Sequence, residues 1–262
     1  MSMGSKERYV CLTIHTELIH DDKVWQAISR FVDFLTNKKI HATWFSLAPV
    51  HHFYQQQGYS VDKWSERLLE LNGKRQLVEQ HTHFYGKWKG RYDTSMANIK
   101  KRLIEDRSWL NEQGLDIQGF CAGGFAFNER LATALARNDY RYDCSVSPSS
   151  YPQLNGVPIS PAPHKILADS ASFIEIPTMR PLSLKESFSS LVRPKHLFIH
   201  SGEIELLVVY LHDWSLKRSV DRLRIITSLN MLLRQAKFVN IRELLELLNR
   251  ETLPSIRLKE TR

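Results

Sequence analysis

Apolar and polar positions change their period repeatedly along the chain, and each change marks a predicted boundary between a strand and a helix. The run 9–14 is β-branched, aromatic and apolar, which is typical of a buried strand. Apolar residues then recur at helical spacing over 25–35, and the run 40–47 returns to a strand-like pattern. The N-terminal part of the chain therefore predicts a β–α–β unit.

The same alternation continues along the rest of the chain, apart from one long interruption. Residues 148–172 are rich in Pro, Ser and Gly and hold no convincing period, so we expect a long loop there. Elsewhere the pattern predicts further helices over 61–71, 96–110, 128–135, 219–235 and 241–248, and further strands over 76–80, 117–120, 140–146, 173–176, 205–211 and 238–240.

Strands that are separated by helices favour a mainly parallel sheet, since each parallel crossover needs about a dozen residues or more. The sequence has no glycine-rich phosphate loop of the GxGxxG or GxxxxGKS type, which disfavours an open nucleotide-binding sheet. We therefore predict an α/β fold, a distorted (β/α) barrel with about seven mainly parallel strands. A single domain is expected over 1–262, with 1–8 as a flexible N-terminus and 252–262 as a C-terminal tail.

Composition and charge are those of an ordinary globular protein. The 262 residues are 42% hydrophobic and 24% charged, and 36 Lys and Arg against 28 Asp and Glu give a net charge of +8. This charge favours anionic partners such as nucleotides, phospholipid headgroups or lipid-linked sugars, whereas the lack of any nucleic-acid motif means that no nucleic acid is expected. The 3 cysteines are widely spaced, and no run approaches the roughly 18 apolar residues of a membrane span. We expect a cytoplasmic protein with at most peripheral membrane contact.

Polar clusters fall directly after four of the predicted strands. They are His15 with Glu17, His81 with His83, Cys121 with Gly123, and His212 with Asp213. In a parallel barrel these strand ends converge on one face, which is where active sites lie. The sequence therefore predicts a single site that is built from separate segments.

His81 and His83 lie two positions apart, so on an extended segment both imidazoles point the same way and can bind one metal ion. His15 and Glu17 have the same spacing, and either can complete a three-ligand site that leaves a position open for water. A chance pair in a polar loop is the alternative for His81 and His83, since the chain has 11 histidines. A helix cap at Glu17, with His15 and His212 as buried structural histidines, is the alternative for the other residues.

Short fragments stand in a fixed order along most of the chain. They are 12–17 (LTIHTE), 42–45 (ATWF), 81–85 (HTHFY), 119–125 together with 140–146, and 211–213 (LHD). In this order they resemble the motifs of the polysaccharide deacetylases, the NodB-homology or carbohydrate esterase family 4 enzymes. The chain is similar to members that are linked to O-antigen or surface polysaccharide biosynthesis.

The resemblance implies metal-assisted removal of an acyl group, usually acetyl, from an N-acylated sugar. It implies a divalent metal ion, with zinc preferred, that is held by His81, His83 and Glu17. Glu17 or His15 would act as the base on water, and His212 would protonate the departing amine. The residues expected to contact substrate are Gly123, Trp88 and Asp213, with Trp44 and Trp214 as further aromatic residues that either stack on a sugar ring or fill the barrel mouth.

Departures from the family pattern fall on the residues that carry the chemistry. His15 stands where the family has its base aspartate, Thr16 where it has a ligand aspartate, and Cys121 where it has the arginine that orients the base. Tyr85 stands where the second motif usually has its later histidine. The alternative hypothesis is therefore a catalytically impaired, sugar-binding pseudoenzyme of the same fold.

Overall fold

Helices separate most of the strands, as the alternating pattern predicts. A computed structural model describes residues 6–85, 92–147, 153–154, 157–182 and 197–258. Over this part of the chain the helices are α1 (Asp22–Asn37), α2 (His52–Gln56), α3 (Val61–Gly73), α4 (Met96–Glu112), α5 (Glu129–Arg137), α6 (Ser219–Leu232) and α7 (Ile241–Leu248). The strands are β1 (Glu7–Thr16), β2 (Thr43–Ser46), β3 (Leu77–Thr82), β4 (Gly119–Ala122), β5 (Tyr142–Asp143), β6 (Gln153–Leu154), β7 (Val157–Pro158), β8 (His164–Ala168), β9 (Ala171–Glu175), β10 (Arg180–Pro181), β11 (Ile199–Ser201), β12 (Ile204–His212), β13 (Lys237–Phe238) and β14 (Ser255–Arg257).

One large sheet contains all of these strands except β6 and β7. Its order is β10–β12–β1–β2–β3–β4–β5–β9–β8–β14, with β11 also paired to β12 and β13 to β1. Neighbours from β10 to β9 all run parallel, whereas β8 runs antiparallel to β9. The predicted α/β fold with a mainly parallel sheet is confirmed. Among the described residues no pairing joins β10 to β14, so hydrogen bonds do not close the barrel there.

Two apolar cores lie on opposite faces of the sheet, and β1 contributes to both. Leu12 and Ile14 belong to the larger core, which also receives the apolar faces of the surrounding helices. Tyr9 and Cys11 belong to the smaller core, which α7 also lines. Because side chains alternate along a strand, His15 lies on the same face of the sheet as Tyr9 and Cys11, at the end of β1.

Capping and an apolar stripe explain where α1 begins and which face it buries. Asp21 accepts hydrogen bonds from the backbone N–H groups of Lys23 and Val24 at 2.8 and 3.0 Å. Such an N-cap contributes about 1 kcal/mol. The buried residues of α1 recur every three or four positions and pack in the larger core: Val24, Ala27, Ile28, Phe31, Val32 and Leu35. None of the helices in the described part of the chain is long and apolar enough to cross a membrane.

The prediction of a long loop over 148–172 is wrong from His164 onward, where β8 and the start of β9 form a hairpin. Ala168 lies opposite Ala171 in this antiparallel pair, and Asp169 has a φ of 53° in the turn between them. In β8 the polar His164 occupies the buried face, while intervening residues are exposed or half-buried. The strand therefore lacks the alternation of hydropathy by which sequence patterns are recognised.

The sheet also reaches further toward both ends of the chain than the sequence predicts. β1 begins at Glu7, inside the expected flexible segment 1–8, and β14 lies inside the expected tail 252–262 and pairs with β8. A strand of 3 residues is too short to produce a period, so only its pairing partner identifies it.

Candidate metal centre at the strand ends

Neighbouring parallel strands bring the predicted polar clusters to one rim of the sheet. His15 of β1 lies opposite His212 of β12, and His81 of β3 lies opposite Cys121 of β4. The His15 ring centroid is 4.8 Å from that of His81 and 5.0 Å from that of His212. Because parallel strands deliver their carboxyl ends to the same edge, residues that are far apart in sequence meet here.

Glu17 lies at the centre of the solvent-facing part of this cluster. Its Oε1 is 3.2 Å from His83 Nε2, 3.5 Å from His81 Nε2 and 3.8 Å from His212 Nε2. The side chain of Glu17 is 26% exposed, whereas that of His81 is fully buried. Glu17, His81 and His83 each offer one ligand atom, and we call these three residues the outer donor set.

The lone pair of His81 provides a test of whether the outer donor set fits a metal ion. His81 Nδ1 lies 2.7 Å from the carbonyl oxygen of Cys121, which can only accept, so Nδ1 carries the proton. Burial lowers the pKa of His81 and keeps the ring neutral. Its Nε2 therefore has a lone pair, and this buried atom has no hydrogen-bond partner.

A cation between these atoms would relieve an unfavourable contact. The lone pair of His81 Nε2 and the carboxylate oxygen of Glu17 are both acceptors, yet they lie only 3.5 Å apart. A tetrahedral zinc ion with bonds of about 2.0–2.2 Å holds its ligand atoms about 3.3–3.5 Å apart. The outer donor set therefore fits a divalent metal ion, and the Cys121 carbonyl fixes the tautomer that such a ligand needs.

Three neighbours position the ring of His83. Its Nδ1 lies 3.0 Å from Tyr92 Oη, and the ring stacks on Tyr85 with centroids 5.2 Å apart. Gly123 lies directly against the same ring, because a Cβ at this position would fall 2.3 Å from His83 Cγ. Gly123 is buried and makes room for the ring of a candidate ligand, and its contact with substrate stays a prediction.

His15 lies beneath the outer donor set and is enclosed. It is 2% exposed, its Nε2 is 3.5 Å from Cys121 Sγ, and the rings of Phe125 and Tyr210 lie 5.5 and 5.8 Å from its own. Burial lowers the pKa of His15 well below its usual value. A catalytic base must reach the water whose proton it takes, so this enclosure corrects the expectation that His15 is the base.

His212 faces the outer donor set without belonging to it. Its side chain is 24% exposed, and the Trp214 ring packs on it with centroids 3.9 Å apart. Burial lowers the pKa of His212 to about 4, so the imidazole is neutral at pH 7. A neutral and partly exposed imidazole can accept a proton and pass it on.

Asp213 ties the end of β12 to the end of β1. Its Oδ2 accepts hydrogen bonds from the backbone N–H groups of Glu17 and Leu18 at 2.9 and 2.7 Å, and its Oδ1 accepts one from Trp214 at 2.8 Å. The residue is fully buried. The expected substrate contact of Asp213 is therefore corrected, since its oxygens already bind the backbone that holds Glu17 in place.

Comparison with known proteins identifies the fold. No protein-family model matches the sequence, and no curated protein matches it. A proposed polysaccharide deacetylase from Mycobacterium smegmatis superimposes with a TM-score of 0.64 at 14% identity, over 98% of this chain and 96% of that one. A proposed polysaccharide deacetylase from Pseudomonas aeruginosa gives a TM-score of 0.61 at 11% identity, over 94% of this chain and 92% of that one. The chain has the fold of the polysaccharide deacetylases.

The deacetylase fold also occurs in a protein described as a pseudoenzyme. This carbohydrate esterase family 4 pseudoenzyme from Bacillus anthracis superimposes with a TM-score of 0.53 at 14% identity, over 91% of this chain and 66% of that one. The resemblance predicted from the sequence is confirmed at the level of the fold. Activity has to be argued from the site, because one fold can carry several functions.

The tryptophans that were expected near the mouth of the deacetylase fold differ in position. Trp44 is fully buried and donates from Nε1 to Gln76 Oε1 at 3.2 Å, so it belongs to the core and does not stack on substrate. Trp88 lies outside the described residues. Trp214 is 36% exposed beside His212 and keeps its place as a candidate for stacking on a sugar ring.

A series of buried polar side chains supports β3, and the sequence did not predict it. Thr82, between the two histidines of the outer donor set, donates from Oγ1 to Asp106 Oδ2 at 2.8 Å, and Asp106 pairs with Arg102 at 2.5 Å. Arg102 and Asp106 are 2% and 1% exposed. The sequence signal for this support is a pair of opposite charges, Arg102 and Asp106, four positions apart among the apolar residues of α4.

Proposed function

We propose that the protein is a metal-dependent hydrolase that removes an acyl group from the nitrogen of an N-acylated sugar. The observation that carries this proposal is the outer donor set, in which a buried, unpartnered lone pair on His81 faces Glu17 and His83. Two imidazoles and one carboxylate are a donor set of catalytic zinc sites, so zinc is the ion we expect. The deacetylase fold supports the reaction class.

A divalent ion held by Glu17, His81 and His83 would supply Lewis acidity, which would polarise an acyl carbonyl and make a nearby water molecule more acidic. Proton transfer then falls to His212. Its Nε2 accepts a proton from the attacking water as the O–C bond forms, and donates that proton to the sugar nitrogen as the C–N bond breaks. His212 thus performs both steps, because His15 is enclosed and Glu17 serves as a ligand. Trp214 holds the His212 ring from one side.

The substrate that we propose is an N-acylated sugar on a phosphate-bearing carrier, either a nucleotide or a lipid. The net charge of +8 favours such anionic ligands over neutral glycans. Trp214 offers a partly exposed aromatic face next to His212, where a sugar ring could stack while its N-acyl group points at the outer donor set.

A sugar-binding protein without turnover is the second candidate, and one observation favours it. Thr16, at the position of the family's ligand aspartate, is fully buried and donates from Oγ1 to the Phe45 carbonyl at 2.8 Å. It therefore offers no carboxylate to the site, and Glu17 has to act as a ligand. The site then lacks a free carboxylate base, while the Bacillus anthracis pseudoenzyme has the same fold.

Elemental analysis combined with a deacetylation assay separates the two candidates. Wild type is compared with a His81→Ala/His83→Ala variant and with a His200→Ala control, whose exposed ring lies at the opposite end of β12. We expect wild type and control to retain stoichiometric zinc and to release acetate from N-acetylated nucleotide sugars, and the double variant to lose both. Equal metal in all three samples contradicts the metal centre. Metal retention without acetate release from any sugar of the panel favours the binding protein.

A further inference from the structure

A second set of potential ligand atoms lies directly beneath the outer donor set. His15, His81 and Cys121 place their ring nitrogens and Sγ within 4.8 Å of one another, and each residue is at most 2% exposed. His15 Nε2 and Cys121 Sγ are 3.5 Å apart. A tetrahedral ion with bonds of about 2.3 Å to sulfur and 2.0–2.1 Å to nitrogen separates those two atoms by about 3.5 Å. We call these three residues the inner donor set.

We propose that the inner donor set is a binding site for strongly thiophilic ions such as Cd²⁺ and Cu⁺. Thiolate ligands favour soft ions and also bind zinc, whereas the imidazoles and the carboxylate of the outer donor set can hold zinc without breaking a buried S–H bond. The Cys121 thiol donates to the Cys144 carbonyl at 3.3 Å. Binding therefore breaks the S–H bond, releases its proton to solvent and forms an S–metal bond without any change of oxidation state. Only an ion with high thiolate affinity compensates for losing this buried hydrogen bond.

His81 belongs to both donor sets, and this makes them mutually exclusive. Its Nδ1 is occupied by the Cys121 carbonyl, so Nε2 is the single atom through which it can bind an ion. An ion that the inner donor set binds through His81 Nε2 takes that lone pair from the outer one, and its three ligand side chains are each at most 2% exposed. A thiophilic ion therefore displaces the hydrolytic ion one for one. This exchange rests on the proposed function, whereas binding of cadmium to Cys121 does not.

Cadmium titration of the zinc-loaded protein tests the inner donor set. Two quantities are recorded: the ultraviolet thiolate-to-cadmium charge-transfer band and the zinc released into solution. We expect one zinc released per cadmium bound, and a band in wild type and in Cys144→Ser, whose thiol is buried nearby. Cys121→Ser should lose the band. Its cadmium affinity should fall by more than about 100-fold, because substitutions of residues that only orient a metal ligand typically cost about 10- to 100-fold. It should keep its zinc.

The outcomes separate the inner donor set from the proposed function. Zinc release by cadmium without a thiolate band in wild type places cadmium in the outer donor set and overturns the inference, while the proposed function stands. Failure of the protein to bind zinc contradicts the proposed function, and the cadmium band still decides the inner donor set. Because a buried substitution can destabilise the fold, X-ray absorption of cadmium-loaded wild type provides a second measurement. A sulfur neighbour supports the inner donor set, and a shell of nitrogen and oxygen alone overturns it.

Discussion

Replacing Gly123 by alanine tests whether this glycine makes room for a metal ligand. A Cβ at this position would lie 2.3 Å from Cγ and 2.4 Å from Nδ1 of His83. Carbon atoms in ordinary contact are about 3.5 Å or more apart, so the ring has to move by about 1 Å. Such a movement takes Nε2 away from its position 3.2 Å from Glu17 Oε1.

A displacement of about 1 Å is several times the roughly 0.2 Å tolerance of metal–ligand distances. We expect Gly123→Ala to weaken zinc binding by at least about 10- to 100-fold, the loss caused by disturbing ligand orientation, which corresponds to about 1.4–2.7 kcal/mol. Competition with a chromophoric chelator measures this loss. Thermal denaturation of the metal-free protein checks that the variant folds.

Gly73→Ala is the matched control, because a Cβ at Gly73 meets nothing within 4 Å. This glycine is the last residue of α3, far from the rim, so the control should bind zinc like wild type. Zinc affinity of Gly123→Ala equal to that of wild type would refute the assigned role of this glycine. An equal loss in Gly73→Ala would show that the effect is not local to His83.

Three further predictions follow from other parts of the molecule. Arg242→Ala leaves the buried carboxylate of Glu79 without its cation, so it should lower the free energy of unfolding, measured in urea, by about 3 kcal/mol. Arg8→Ala removes a partly exposed ion pair with Glu205 and should lower it by less than about 1 kcal/mol. Equal losses in the two variants contradict this prediction. Burial lowers the pKa of His164, so below its ordinary value of 6.5 the unfolded chain binds a proton that the folded protein does not. The free energy of unfolding should therefore fall as the pH decreases below 6.5. If His164→Leu shows the same dependence of this free energy on pH as wild type, His164 is not the cause. Trp214→Ala should raise the KM for a nucleotide sugar by about 2- to 10-fold at an unchanged melting temperature, and an unchanged KM excludes stacking.

The main sheet was predictable because its central strands are buried on both faces. β1 and β12 appear in the sequence as continuous apolar runs, and α7 was predicted with the bounds that it has, Ile241–Leu248. The strand predicted over 173–176 overlaps β9, whereas β8 escaped prediction because a polar residue, His164, lies on its buried face. A short strand such as β14 is defined by its pairing with β8, which lies far away in the sequence, so the residues around it do not predict it.

The site was predictable in its location but not in the role of each residue. The rule that polar residues at parallel strand ends converge brought His15, Glu17, His81 and His212 to one rim. Sequence spacing cannot distinguish a side chain at the surface of that rim from one beneath it. His15 and Asp213 were therefore expected in catalysis and substrate binding, whereas burial gives them an enclosed and a structural position.

Anomalous diffraction at the zinc absorption edge, from crystals grown with zinc, tests the proposed metal centre most directly. We predict a single dominant peak within bonding distance of Glu17 Oε1, His81 Nε2 and His83 Nε2. A dominant peak bound by other residues, or no peak in a crystal with these side chains ordered, contradicts the proposed metal centre.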